Sequence, residues 1–170
     1  MSINSPTRIL AIDPGTRHLG IAVLENGGLI YHGVHSFRRQ RSPHAMLTLG
    51  RELVARLIRD FRPRVLAVEK TFFANNRNTA LLNVFAEEIK AVGGRLGLQV
   101  LAFAPSTVKK AIAGNGQATK RDVARAVVAR FPELKVYLTQ DRQWKERYHS
   151  NMFDAVALAL VAARDTAHQL

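Results

Sequence analysis

Residues 8–13, Arg-Ile-Leu-Ala-Ile-Asp, form an unbroken apolar run that ends on a carboxylate, and residues 64–69, Arg-Val-Leu-Ala-Val-Glu, repeat the plan. A short β-branched run without alternation marks a strand covered on both faces. Residues 19–25 and 29–37 are further strand-like runs flanking Asn26-Gly27, a hairpin turn signal, so three antiparallel strands come first. After a basic loop (36–43), Ser42-Pro43 suits a helix start, and Leu47, Leu49, Leu53, Leu57, Ile58 and Phe61 keep a roughly helical period until Pro63. The second acid-tipped strand follows. A helix over 78–92 is then predicted, closed by Gly93-Gly94, with an unusually broad apolar stripe. Residues 96–105 read as a fifth strand. Short helices over 108–113 and 120–131 flank Gly-Asn-Gly-Gln-Ala-Thr, residues 132–148 read as irregular, and a final helix spans about 150–166. The order β-β-β-α-β-α-β-α-α predicts an α/β fold, a mixed five-stranded sheet with helices on both faces.

The length of 170 residues points to one domain over 1–170, with 1–7 expected as a flexible start. Charge changes the picture more: 25 Lys+Arg against 13 Asp+Glu gives +12, a field that favours polyanions such as nucleic acid. An anionic membrane is the weaker reading. No run approaches the roughly 20 apolar residues of a spanning helix, and the longest, 152–163, carries Asp154. The start lacks the basic-then-apolar layout of a signal peptide. Cysteine is absent, which removes disulfides, thiolate zinc sites and a Cys nucleophile and fits a cytoplasmic location.

The two strand-end acids need a reason. In open α/β sheets, sites form beyond strand ends where the strand order reverses. If the first and fourth strands are parallel neighbours, Asp13 and Glu69 point into one cleft. Two acids there repel, and desolvation deepens the penalty, unless a cation lies between them. Mg²⁺ suits such oxygen ligands and typically keeps waters while using one or two carboxylates plus phosphate. Taken singly, each acid also reads as a solvated strand cap. Asp154 lies in the predicted first turn of the last helix, on the stripe of Ala157, Leu158 and Val161 that must face the sheet. A first-turn Asp complements the helix dipole, but a solvent-facing one would do that equally well. Three core-facing acids in a basic chain predict a metal-dependent phosphoryl-transfer site, where a pair of ions activates water and stabilises the leaving oxygen.

The stretches AIDPGTRHLGIAV, VLAVEKTFFANNRNTAL, APSTVKKAIAGNGQATKRDV and FDAVALAL resemble, in order and rough spacing, RuvC-type Holliday junction resolvases, endonucleases of the ribonuclease H-like fold. The resemblance covers residues 10–115 well and continues less tightly to the last helix. It implies a structure-selective endonuclease of recombination and repair that resolves four-way DNA junctions by paired hydrolysis, leaving a 5′-phosphate and a 3′-hydroxyl. By the same resemblance, Asp13, Glu69 and Asp154 hold two Mg²⁺ ions, with Mn²⁺ able to substitute. Phe72 matches an aromatic that stacks on a base near the junction centre, and Phe73 either shares that role or is core. Lys109 and Lys120 match lysines that approach phosphate, and Arg121 extends that face; Arg125 and Arg130 read equally well as a solvated helix surface. The implied assembly is a homodimer, for which the broad stripe of residues 78–92 is suited, with a branch-migration motor complex as a candidate partner.

One position departs. The family usually places Asp or His three residues before the helix acid, where this chain has Asn151, an oxygen donor without charge. His149 lies off that face in a regular helix, and Glu146 and Asp141 fall in the run read as irregular. Three readings stay open: a working site with one weaker ligand, an altered metal preference, or a junction binder that cleaves poorly. The first is favoured. Rival functions are a ribonuclease H-fold nuclease acting on RNA, an actin-like or sugar-kinase-like ATPase, and a non-catalytic nucleic-acid-binding module. The ATPase would need a duplicated domain that the chain lacks.

Overall fold

The computed structural model describes residues 7–37, 42–71, 77–138 and 143–168, the side chains of 143–147 excepted. The expected strands form: β1 (Arg8–Asp13), β2 (His18–Glu25), β3 (Gly28–Ser36), β4 (Val65–Glu69) and β5 (Gln99–Phe103). They make one sheet in the order β3-β2-β1-β4-β5, antiparallel across β1–β2–β3 and parallel across β1–β4–β5. Among the described residues six α-helices accompany them: α1 (Pro43–Phe61), α2 (Arg77–Arg95), α3 (Pro105–Ala113), α4 (Lys120–Arg130), α5 (Lys135–Leu138) and α6 (Gln143–Ala167).

Because side chains alternate along a strand, the two faces of the sheet read off directly. Leu10, Ile12, Leu66 and Val68 pack with α1 and α2, while Ile9, Ala11, Val65 and Ala67 pack with α3, α4 and α6. Both strands thus bury each side in turn, which is why neither shows polar alternation. Ser42 caps α1 by accepting from the amide of Ala45, and Arg62 ends it in the left-handed region at φ 48° just before Pro63. These are the stop and start signals expected from the sequence.

Three boundaries differ from the sequence reading. First, α2 runs through Gly93 and Gly94 to Arg95. Gly93 is there for contact rather than termination: a Cβ on it would lie 2.5 Å from Leu66 Cδ2. The stop is Gly97 at φ +79°, with Leu98 N–H bonded to the Gly93 carbonyl and Gly97 N–H to that of Gly94, a Schellman closure. Second, residues 132–148 are not irregular throughout, since a 3₁₀ turn (Pro132–Leu134) and α5 fill the first half and α6 begins at Gln143. No Gly or Pro follows Pro132, and Gln, Lys, Glu and Arg extend a helix without an apolar stripe to announce it. Third, Asp154 consequently sits near the middle of α6 rather than in its first turn. The expected flexible start falls mostly on residues 1–6, outside the described residues, as do Phe72, Phe73 and Asp141.

Candidate active site

The parity that sorts the core also aims the acids. Asp13 continues the series of Ile9 and Ala11, and Glu69 that of Val65 and Ala67, so both carboxylates leave the sheet on the face that carries α6. β1 and β4 are parallel partners with Ile12 opposite Val68, which brings the next residues, Asp13 and Glu69, side by side at the strand ends. Helix α6 packs across β1, β2, β3 and β4. It lies close because the contact surface is small: Ala11, Ala22 and Ala67 on the sheet meet Ala155, Ala159 and Ala162. At Gly20, the β2 partner of Asp13, an added Cβ would stand 1.9 Å from the backbone oxygen of Asn151. This close approach sets Asp154, one turn further along α6, above the other two acids.

One cleft of about 260 Å³ is lined by Asp13, Glu69, Asn151, Asp154, Lys109 and Lys120. Six of the residues singled out in the sequence therefore converge. Asp13 is 8% exposed. Burial, then the charges of Asp154 and Glu69, raise its pKa well above the ordinary carboxylate range against the opposing pull of Lys120. Glu69 is pushed up to about 7, by burial first and by Asp154 second, with Lys120 and Lys109 holding it down. Neither acid is comfortable as an anion.

Lys120 is the compensating charge, a role the sequence reading missed in giving it to phosphate alone. Its ammonium donates to Asp154 Oδ2 at 3.0 Å and to Ser150 Oγ at 3.1 Å. Burial works against that ammonium, but Asp154, Asp13 and Glu69 outweigh it and its pKa is raised. The residue is placed by the start of α4, where Thr119 and Asp122 form a capping box. Nothing in sequence spacing links positions 120 and 154; only the packing of α4 on α6 does.

Asn151 lines the cleft and donates its side-chain Nδ2 to the His18 carbonyl at 3.2 Å. That bond ties α6 to β2 and leaves the amide oxygen as the acceptor it can offer. His149 does not rescue the missing charge, because its ring packs against Tyr137 (4.8 Å between centroids) and Tyr148 (5.1 Å), outside the lining of the cleft. Glu146 falls in α6, with its side chain outside the described residues. Arg121 faces a neighbouring cavity rather than the acids. Arg125 is exposed, and the Arg130 guanidinium lies 5.5 Å from the centre of the Phe131 ring.

Among the described residues, no three His, Asp or Glu groups enclose an ion by themselves. The donor set nevertheless fits a hard divalent cation: three carboxylates and an amide oxygen, with no sulfur or imidazole, and two acids whose raised pKa values a cation would relieve.

Comparison with known proteins identifies the family. A family profile described as "Crossover junction endodeoxyribonuclease RuvC" matches residues 9–161. The protein of that name from Salinispora arenicola is 34% identical over 134 residues, 75% of either chain. That from Neorickettsia sennetsu is 32% identical over 161 residues, 91% of this chain and 92% of its own. Among solved structures, T. thermophilus RuvC in complex with Holliday junction substrate superposes with a TM-score of 0.77 at 27% identity, covering 96% of each chain.

Proposed function

The chain belongs to the RuvC family of crossover junction endodeoxyribonucleases, and from that premise we propose that it resolves four-way DNA junctions by metal-dependent phosphodiester hydrolysis. The observation that carries the reading is the convergence of Asp13, Glu69 and Asp154, from two strand ends and one helix, in a cleft flanked by Lys109 and Lys120.

Asp13, Glu69 and Asp154 hold the metal, with the Asn151 amide oxygen as a neutral fourth donor. We take the metal to be Mg²⁺, two ions per site, replaceable by Mn²⁺. An ion held by these residues would supply a water of lowered pKa and charge to offset that developing on the phosphate and leaving oxygen. The chain does the rest. Lys109 and Lys120 bring phosphate to the acids and offset their charge. The buried setting of Asp13 excludes bulk water and strengthens every electrostatic contact. The Asn151–His18 bond keeps α6, and so Asp154, in register with the strand ends. Phe72, with Phe73 beside it, stacks on a base at the junction centre, and the net charge of +12 gathers the DNA arms.

The working unit is a single nuclease domain that pairs as a homodimer, each site aimed at one of two opposed strands. Support comes from α2, where Val84 is 47% exposed while Phe85, Ala86 and Ile89 fill the core. No helix among the described residues is long and apolar enough to cross a membrane, and we place the protein in the cytoplasm, where a branch-migration motor would hand it junctions.

Substrate choice separates the DNA and RNA readings. Four-way junctions, linear duplexes and RNA–DNA hybrids are offered in Mg²⁺. Symmetric paired nicks confined to the junction are expected, and preferential cutting of the hybrid would replace this function with the RNA-directed one.

A further inference from the structure

A cavity of about 450 Å³ adjoins the acid cleft, and the two share a wall, since Lys120 and Asn151 line both. Its size falls within the range of small-molecule sites. Its lining combines cations with aromatic and small side chains. Toward solvent stand the cations Lys120, whose side chain is 66% exposed, and Arg121, with Ser150 beside them. Phe153 is buried at 4% exposure, and Tyr137 lines the cavity half-buried. No carboxylate is among the lining residues described. The Tyr137 ring contacts two imidazoles, His32 edge-on at 5.5 Å and His149 tilted at 4.8 Å between centroids, which orient it before any ligand arrives.

Cations beside aromatic surface call for a ligand with an anionic head and a flat, weakly polar body. A nucleotide has that form. If the chain is the junction nuclease proposed above, on which this inference rests, a backbone phosphate already lies against Lys120, and the adjoining nucleotide is the nearest flat body. We propose that this cavity receives a base unstacked from the DNA strand beside the cleaved phosphate, with the base on the Tyr137 ring and its phosphate between Lys120 and Arg121. Extrusion is least costly where stacking is already broken, as at a junction. The cavity then lets the enzyme sense the identity of a base near the cut, because a purine and a pyrimidine fill it differently.

The test uses junctions carrying 5-iododeoxyuridine at each position within three nucleotides of the cut, bound in Ca²⁺ to hold off cleavage and then irradiated. One position should crosslink to the peptide containing Tyr137, and the crosslink should vanish in Tyr137→Ala. Affinity gives a second readout. Tyr137→Ala should weaken binding about tenfold on the intact junction but less than twofold when that position is abasic, the expected scale for one stacked base. Tyr137→Phe, which keeps the ring, should hold wild-type affinity on both. Equal losses on intact and abasic junctions would reduce Tyr137 to a support for the fold and overturn the proposal, as would absence of the crosslink while wild type still nicks junctions. Binding of free dAMP to the protein without any DNA crosslink would also overturn it, in favour of a site for free nucleotide. If wild type neither binds nor nicks junctions, the nuclease reading falls and takes this proposal with it.

Discussion

Replacing Glu69 by Gln should stabilise the metal-free protein, and most strongly at alkaline pH. Glu69 titrates at about 7 in the folded chain against an ordinary 4.5, because it is buried and faces Asp154, with Lys120 and Lys109 only partly offsetting this. An acid whose pKa is raised by folding favours the folded state when protonated. Its contribution is therefore whole below the unfolded value and is lost as pH rises through 7. The shift corresponds to a penalty of about 3 kcal/mol at most at pH 8.5, falling to about 1 kcal/mol at pH 5.5. Gln keeps the shape without the charge, so the variant escapes the penalty. Urea unfolding with a chelator present, at both pH values, reads the difference. The variant should be more stable than wild type at pH 8.5, with the gap at least halved at pH 5.5. Adding Mg²⁺ should narrow it at pH 8.5, because a ligand of the folded state stabilises the chain that binds it. A Gln variant less stable than wild type at pH 8.5, or a gap indifferent to pH, would refute the reasoning.

Gly20→Ala should destabilise the fold by about 1–3 kcal/mol and cut activity more than stability. The new Cβ would stand 1.9 Å from the Asn151 oxygen and must push α6, with Asp154, off the strand ends; thermal melting and a nicking rate in saturating Mg²⁺ measure the two effects. Asn151→Asp should tighten Mg²⁺ binding in titration calorimetry, since the charge it adds to the cleft outweighs loss of the bond to the His18 carbonyl. Lys120→Ala should raise the pKa of Glu69 above about 7, because Lys120 holds it down. An NMR titration of the metal-free protein reads the shift, and a Glu69 pKa that stays in place would contradict the role given to Lys120.

The strands and their acids were legible because buried parallel strands read as continuous apolar runs, and a carboxylate at the end of such a run is conspicuous. Asp154 was legible as core-facing from the stripe of Ala157, Leu158 and Val161, even though its helix starts seven residues earlier than the pattern suggested. That extension lies in a polar stretch where helix propensity acts without a hydrophobic period, so boundary signals were missing. Gly93-Gly94 misled for the opposite reason: a glycine that usually ends a helix here serves a close contact with Leu66. The Lys120–Asp154 pair, the Asn151–His18 bond and the second cavity depend on how α4, α5 and α6 pack together. No local pattern encodes those relations.

The claim that the strand-end acids form the cleavage site is tested most directly by single-turnover nicking of a labelled four-way junction in Mg²⁺, comparing wild type with Asp13→Asn. The variant should fold, bind the junction as wild type does, and nick it at least about a hundredfold more slowly, beyond the 10- to 100-fold typical of losses one step removed from a metal. Equal rates with equal metal dependence would show that hydrolysis takes place elsewhere on the molecule.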